Sequence, residues 1–171
     1  MNQGEIFEIR KYAFNNNLFS EFQNFHYAKS LWPIVYILSD GNRKEAYVGE
    51  TTDTYSRMSS HLRSDEKNTL TAVHLISSDK FNKSATLDIE SNLIKYISGD
   101  GQYSLINGNI GLANHNYYQK NEVYWHIFNS IWEKLRGEGL AKHSIEFINN
   151  SDLFKYSPYK SLNHDQKQSL L

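Results

Sequence analysis

Two phenols, a guanidinium, an imidazole and a carboxylate follow one another along this chain in an order that suits attack on a phosphodiester. Tyr36 lies in the apolar run Pro33-Ile34-Val35-Tyr36-Ile37-Leu38, and Tyr47 in Ala46-Tyr47-Val48-Gly49-Glu50. Arg57 and His61 come next, four residues apart, a spacing that stacks two side chains on one helix face. Glu90 interrupts the apolar stripe of a later helix, three residues after Leu87 and four before Ile94. An unpaired carboxylate facing a core is costly, so a metal ion, a partner cation or a mouth open to water should compensate it. The alternative is a rim position from which Glu90 reaches solvent. Singly, each residue has a plain reading: Tyr36 and Tyr47 as core or edge-strand tyrosines, Arg57 and His61 as a solvated helix face. The combination suggests metal-assisted hydrolysis of a phosphodiester.

These residues need elements to position them. Ile34 to Leu38 is an apolar run of strand length. Ser39-Asp40-Gly41-Asn42 is a turn cluster, and Ala46 to Glu50 resumes as a strand. The pair reads as an antiparallel hairpin with Ile34, Tyr36 and Leu38 on one face. Thr52 or Asp53 caps a helix from Thr54 to about Arg63. Ala72 to Ile76 is a third strand. Ser84 caps a helix from Ala85 to about Ser98, stopped by Gly99. Phe7, Ile9 and Tyr12 alternate as a short strand near the start, and Leu18 to Leu31 reads as a helix ended by Pro33. Tyr103 to Ile106 is a further strand, followed by the turn Asn107-Gly108-Asn109. Ile127, Phe128, Ile131, Trp132 and Leu135 mark an amphipathic helix over Tyr124 to Leu140. The predicted fold is α+β: a small antiparallel sheet flanked by helices, with helical additions at both ends.

At 171 residues the chain is long enough for one domain with a real core. Its net charge of -1 lacks the basic surplus of most stand-alone nucleic-acid binders, which argues for weak contact or help from a neighbouring domain. Cysteine is absent, which excludes disulfides and zinc–thiolate sites. The start, Met1-Asn2-Gln3-Gly4-Glu5, lacks the profile of a signal peptide, and no apolar run approaches the ~18 residues that cross a membrane. A cytoplasmic protein is expected. His74, His115, His126, His143 and His164 form no metal-binding pattern and read as surface or hydrogen-bonded residues. No nucleophile elbow and no phosphate-binding loop is present.

The order and spacing resemble the GIY-YIG nuclease family. Val35-Tyr36 stands for the end of its first motif and Tyr47-Val48-Gly49 for the second. Arg57 is similar to the family arginine, His61 to the histidine of some restriction-enzyme members, Glu90 to the metal-binding glutamate and Asn107 to the terminal asparagine. The first motif departs in one place, with Ile34 where the family name implies glycine; no chemical group is lost. The resemblance covers about Pro33 to Gly111. More broadly, Trp32-Pro33-Ile34-Val35-Tyr36, Ser84 to Glu90 and Asn107 to Gly111 resemble the N-terminal nuclease domain of bacterial nuclease–helicase fusions. On that resemblance, residues 1–156 form the nuclease domain, and 157–171 a linker or the start of a truncated helicase module.

The resemblance implies a DNA endonuclease with Mg²⁺ (or Mn²⁺) as cofactor and Glu90 as metal ligand. It also implies a C-terminal helicase module as partner, and a role in phage defence or DNA repair. Tyr36 would take a proton from the attacking water, Tyr47 or His61 would receive or orient it, Arg57 would hold the scissile phosphate, and Asn107 would orient groups. The reading from a different class is a binding or sensing domain that keeps the fold and does not cleave.

Overall fold

The computed structural model describes residues 6–107 and 124–151. Five strands form one sheet: β1 (Glu8–Ala13), β2 (Ile34–Asp40), β3 (Glu45–Thr51), β4 (Ala72–Ser77) and β5 (Ser104–Leu105), in the order β1-β4-β2-β3-β5. All neighbours are antiparallel except β3 and β5, which run parallel. The hairpin read from the sequence is present, with Tyr36 directly opposite Gly49 and Leu38 opposite Tyr47. The central strand β2 is buried along its whole length, because both sheet faces are covered.

Side-chain alternation sorts the core into two halves. Val35, Ile37, Ala46, Val48 and Ile76 face the helices α4 (Lys83–Asp100), α5 (Trp125–Gly137) and α6 (Ile145–Asn150). Ile34, Tyr36, Leu38, Val73 and Leu75 face Met58 of helix α3 (Thr54–Leu62) and the N-terminal aromatics Phe22 and Phe25. Ile34 is fully buried here, so the residue that replaces the motif glycine serves as core.

Three boundaries differ from the sequence reading. The expected helix over Leu18 to Leu31 is broken into α1 (Leu18–Glu21), a 3-10 turn (Phe22–Asn24) and α2 (His26–Lys29). The break falls at Phe25, whose backbone is extended (φ -118°, ψ 100°). The curved path lets Leu18, Phe22, Phe25 and Ala28 all reach the sheet, which one straight helix would not allow. Helix α4 starts earlier than expected, because the Asn82 side chain accepts from the Ala85 N–H at 2.8 Å. It also runs through Gly99 to Asp100 and ends at Gly101, whose φ of 77° suits glycine. The expected turn beyond Asn107 and the segment 157–171 lie outside the described residues.

Candidate active site

Tyr36 is the centre of the site. Its phenol oxygen lies 2.6 Å from His61 Nε2, and the ring is fully buried. Helix α3 supplies His61 because the loop before it is tightly specified. Thr51 Oγ1 accepts from the Asp53 N–H at 3.0 Å, and Asp53 Oδ1 accepts from the Ser56 N–H at 3.1 Å. Arg57, one turn before His61, is exposed, and its charge favours the ionised form of the Tyr36 phenol. Tyr47, two residues before Gly49 and on the same face, is half-buried. Its ring centroid lies 5.2 Å from the His61 ring and 6.3 Å from the Tyr36 ring.

Gly49 makes room for this arrangement. Tyr36 crosses directly over it, so that a Cβ at position 49 would overlap the phenol oxygen and Cζ of Tyr36. The glycine of the second motif is therefore a steric requirement of the tyrosine in the first.

Glu90 reaches the site from a helix on the opposite sheet face. Strand β3 has a free edge that explains how. Ala46 C=O accepts from the Ile106 N–H at 2.8 Å. Two residues on, Val48 has no strand beside it, and Asn107 takes the strand's place. Its Oδ1 accepts from the Val48 N–H at 3.0 Å, and its Nδ2 donates to the Val48 C=O at 2.7 Å. Two residues further, the Glu50 N–H points to the same edge and favours the ionised form of the Glu90 carboxylate. Glu90 thus sits beside the edge of β3 rather than under the sheet. The inward stripe of α4 is Ala85, Thr86, Ile89, Leu93 and Ile97, with Leu87 and Glu90 half-buried on its flank. The sequence reading placed Glu90 on that stripe; a shift of one helical position moves it to the site. Asn107 is a fixed support of β3, with both ends of its amide engaged.

The electrostatics link the parts. Arg57 acts on Tyr36, Tyr47, His61 and Glu90. Burial, then Lys67 and Arg57, hold the His61 imidazole down at about 4, so it is neutral at neutral pH. Burial, then the neighbouring Tyr47, drives the Tyr36 phenol far above its ordinary range. Burial, then the nearby Glu50 carboxylate, pushes Glu90 up to about 7. Glu50 is itself held by Lys83 Nζ at 2.6 and 2.8 Å and by Thr86 Oγ1 at 3.2 Å. Among the described residues Glu90 itself has no ion-pair partner. Side chains from β2, β3 and α3 therefore pack together at Tyr36, and the charges of Arg57 and Glu90 act on the same group.

Residues 33–97 match the family model described as the GIY-YIG catalytic domain. The match contains Tyr36, Tyr47, Gly49, Arg57, His61 and Glu90, and ends before Asn107. No curated protein and no solved structure matches the chain. The GIY-YIG match points to a nuclease, and the mostly antiparallel sheet with flanking helices agrees with it.

Sequence reasoning missed three contributors. Glu50 and Lys83 set the field around Glu90, and Lys67 places its ammonium over the Tyr47 ring, 4.5 Å from the centroid. Lys67 lies in a polar loop without periodicity, so spacing carried no signal for it. One histidine differs from its expected role. His74 is 2% exposed, with neither ring nitrogen hydrogen-bonded, and its nearest charged group is Glu138 at 3.7 Å. Among the described residues no cluster of three or more metal-ligating side chains exists, and no helix is long and apolar enough to cross a membrane.

Proposed function

We propose that the chain is a divalent-metal-dependent endonuclease that hydrolyses DNA phosphodiester bonds. The meeting of Tyr36, His61, Arg57 and Glu90 inside the matched GIY-YIG segment carries this reading. Glu90 suits a hard cation such as Mg²⁺ or Mn²⁺. It offers oxygen, stands near a second carboxylate and, among the described residues, forms no salt bridge of its own. With a single carboxylate ligand the ion would keep several waters, as magnesium does. When bound, it would neutralise charge on the phosphate and its leaving oxygen.

The chain's own groups supply the rest. Arg57 is exposed and presents a planar fork that matches phosphate oxygens. With its proton on Nδ1, neutral His61 accepts from the Tyr36 hydroxyl through Nε2 across the 2.6 Å contact. Proton transfer from water to the Tyr36 oxygen, with the phenol proton passing to His61, leaves hydroxide to attack phosphorus and a cationic imidazole. The phenolate never has to exist free, which matters because burial disfavours it. Tyr47 walls the other side of the imidazole and orients it.

The near-neutral charge and the sequence resemblance favour work beside a helicase module, in the cytoplasm, in defence or repair. One observation favours a second reading. Tyr36 is fully buried in this conformation, which a domain that binds nucleic acid without cleaving it would share.

Glu90→Gln separates them. In a plasmid-nicking assay the wild type should cut with Mg²⁺ and stop with EDTA, and Glu90→Gln should not cut. Its melting temperature at neutral pH should equal or exceed the wild type. A carboxyl whose folded pKa is raised to about 7 contributes stability below its ordinary 4.5, and loses it as pH rises through 7. Gln removes that loss. Cleavage by Glu90→Gln at the wild-type rate would sink the metal reading; DNA binding without cutting in any metal would favour the second.

A further inference from the structure

We infer that Lys67 is a second phosphate-binding residue, seated on the Tyr47 ring so that the site grips two neighbouring phosphates of one strand. The inference rests on the nuclease reading and specifies its substrate: an extended polynucleotide strand rather than a small phosphodiester.

Some cations in the described structure are held in ion pairs. Arg10 pairs with Glu8, Arg43 with Asp40 and Glu45, Lys83 with Glu50, and Arg136 with Glu133. Arg57 and Lys67 do not: among the described residues neither has a carboxylate partner. Both nevertheless stand beside His61, whose imidazole feels each of them. Two unpaired cations next to one neutral ring form a local positive field in a chain whose net charge is -1.

The geometry also separates the two charges. Arg57 acts on the Tyr36 phenol, whereas the Lys67 ammonium lies 4.5 Å above the Tyr47 ring. The two tyrosine rings are 6.3 Å apart. The cations thus serve different tyrosines, a placement suited to adjacent phosphates along a strand rather than to two oxygens of one. The loop fixes Lys67. Its N–H donates to Ser64 C=O at 3.2 Å, and the Asn68 N–H donates to the same carbonyl at 2.8 Å. Resting on an aromatic face partly desolvates the ammonium and limits its rotamers, so less freedom is lost when phosphate binds.

The test uses the full chain with Lys67→Met, which keeps the packing on Tyr47, and Lys67→Arg, which restores the charge. Binding to a fluorescent single-stranded oligonucleotide is measured across salt concentrations in EDTA, so it does not depend on cleavage. Loss of one phosphate contact should lower the slope of log affinity against log salt by about one in Lys67→Met, and Lys67→Arg should recover it. In nicking kinetics with Mg²⁺, Lys67→Met should raise KM roughly tenfold at nearly constant kcat, the signature of lost uniform binding. An unchanged salt slope overturns the inference, whether or not the wild type cleaves. A fall in kcat at constant KM also overturns it, because Lys67 would then act on the chemistry through His61. A wild type that binds DNA but never cuts defeats the nuclease reading alone, and the salt slope still decides the role of Lys67.

Discussion

At the scale of single residues the site is a steric and electrostatic lock around one phenol. Tyr36 is held from three sides: by His61 through a 2.6 Å contact, by Arg57, and by the absence of a side chain at Gly49. The last is the least obvious and the easiest to test. A methyl group at position 49 overlaps the phenol, and the ring cannot retreat because it is fully buried. Gly49→Ala should cost ~1–3 kcal/mol by overpacking. It should also cut activity at least ~100-fold, since a displaced phenol leaves general-base catalysis without its proton acceptor. A double-mutant cycle with Tyr36→Ala identifies the cause: in that background Gly49→Ala should be nearly silent in thermal melts. Equal stability losses in both backgrounds would mean that Gly49 matters for some other reason. The motif letters Tyr47-Val48-Gly49 were plain in the sequence. Why the third must be glycine was not, because it depends on the cross-strand register that sets Tyr36 opposite it.

At the scale of elements the open edge of β3 organises the site. Alternate residues turn their backbone groups to this edge: Ala46 is completed by strand β5 and Val48 by the Asn107 amide, and the next, Glu50, acts on Glu90. The Asn107 amide therefore aligns the stretch of β3 that carries Tyr47 and Gly49. Asn107→Ala removes two hydrogen bonds, each worth ~1 kcal/mol net, and should destabilise the domain by about 2 kcal/mol. Amide hydrogen exchange should speed up at Val48 while Ile106 stays protected through Ala46. Equal acceleration at both would mean that the whole edge frays and that Asn107 has no special place in it. Apolar runs and turn clusters made β2, β3, β4 and the amphipathic helix α5 legible in the sequence. The ends of α4 were not, because Asn82 and Gly101 compete with equally plausible neighbours, Ser84 and Gly99, and only packing selects among them. That same uncertainty misplaced Glu90 on the stripe. A flank position beside the β3 edge answers the problem of a costly buried charge that the sequence had posed.

At the scale of the whole molecule, the sheet separates the core half that packs on Tyr36 and α3 from the half under α4, α5 and α6, and the N-terminal segment belongs to the first. Residues before Pro33 lie outside the matched GIY-YIG segment, yet Leu18, Phe22 and Phe25 are fully buried against Ile34, Tyr36 and Leu75. Phe22 also meets Tyr55 of α3 edge-to-face, with centroids 5.3 Å apart, and Phe19 stacks on the same ring at 6.0 Å. Tyr55 is two residues before Arg57, so the aromatic cluster fixes the helix that carries both Arg57 and His61. On the other side of the sheet, Leu135 of α5 is just as buried, in the half of the core that excludes Tyr36 and α3. Phe22→Ala should cost ~3–5 kcal/mol and Leu135→Ala ~2–5 kcal/mol. Their effects on cleavage should differ, when both are assayed at a temperature where melts show them folded. Phe22→Ala loosens α3 and should lower kcat about tenfold or more, because a small misplacement of positioning groups is costly. Leu135→Ala should keep kcat within about twofold, since its cavity opens away from α3. Equal losses of kcat would mean that the two halves respond as one body, and that the N-terminal aromatics support the fold without placing the chemistry.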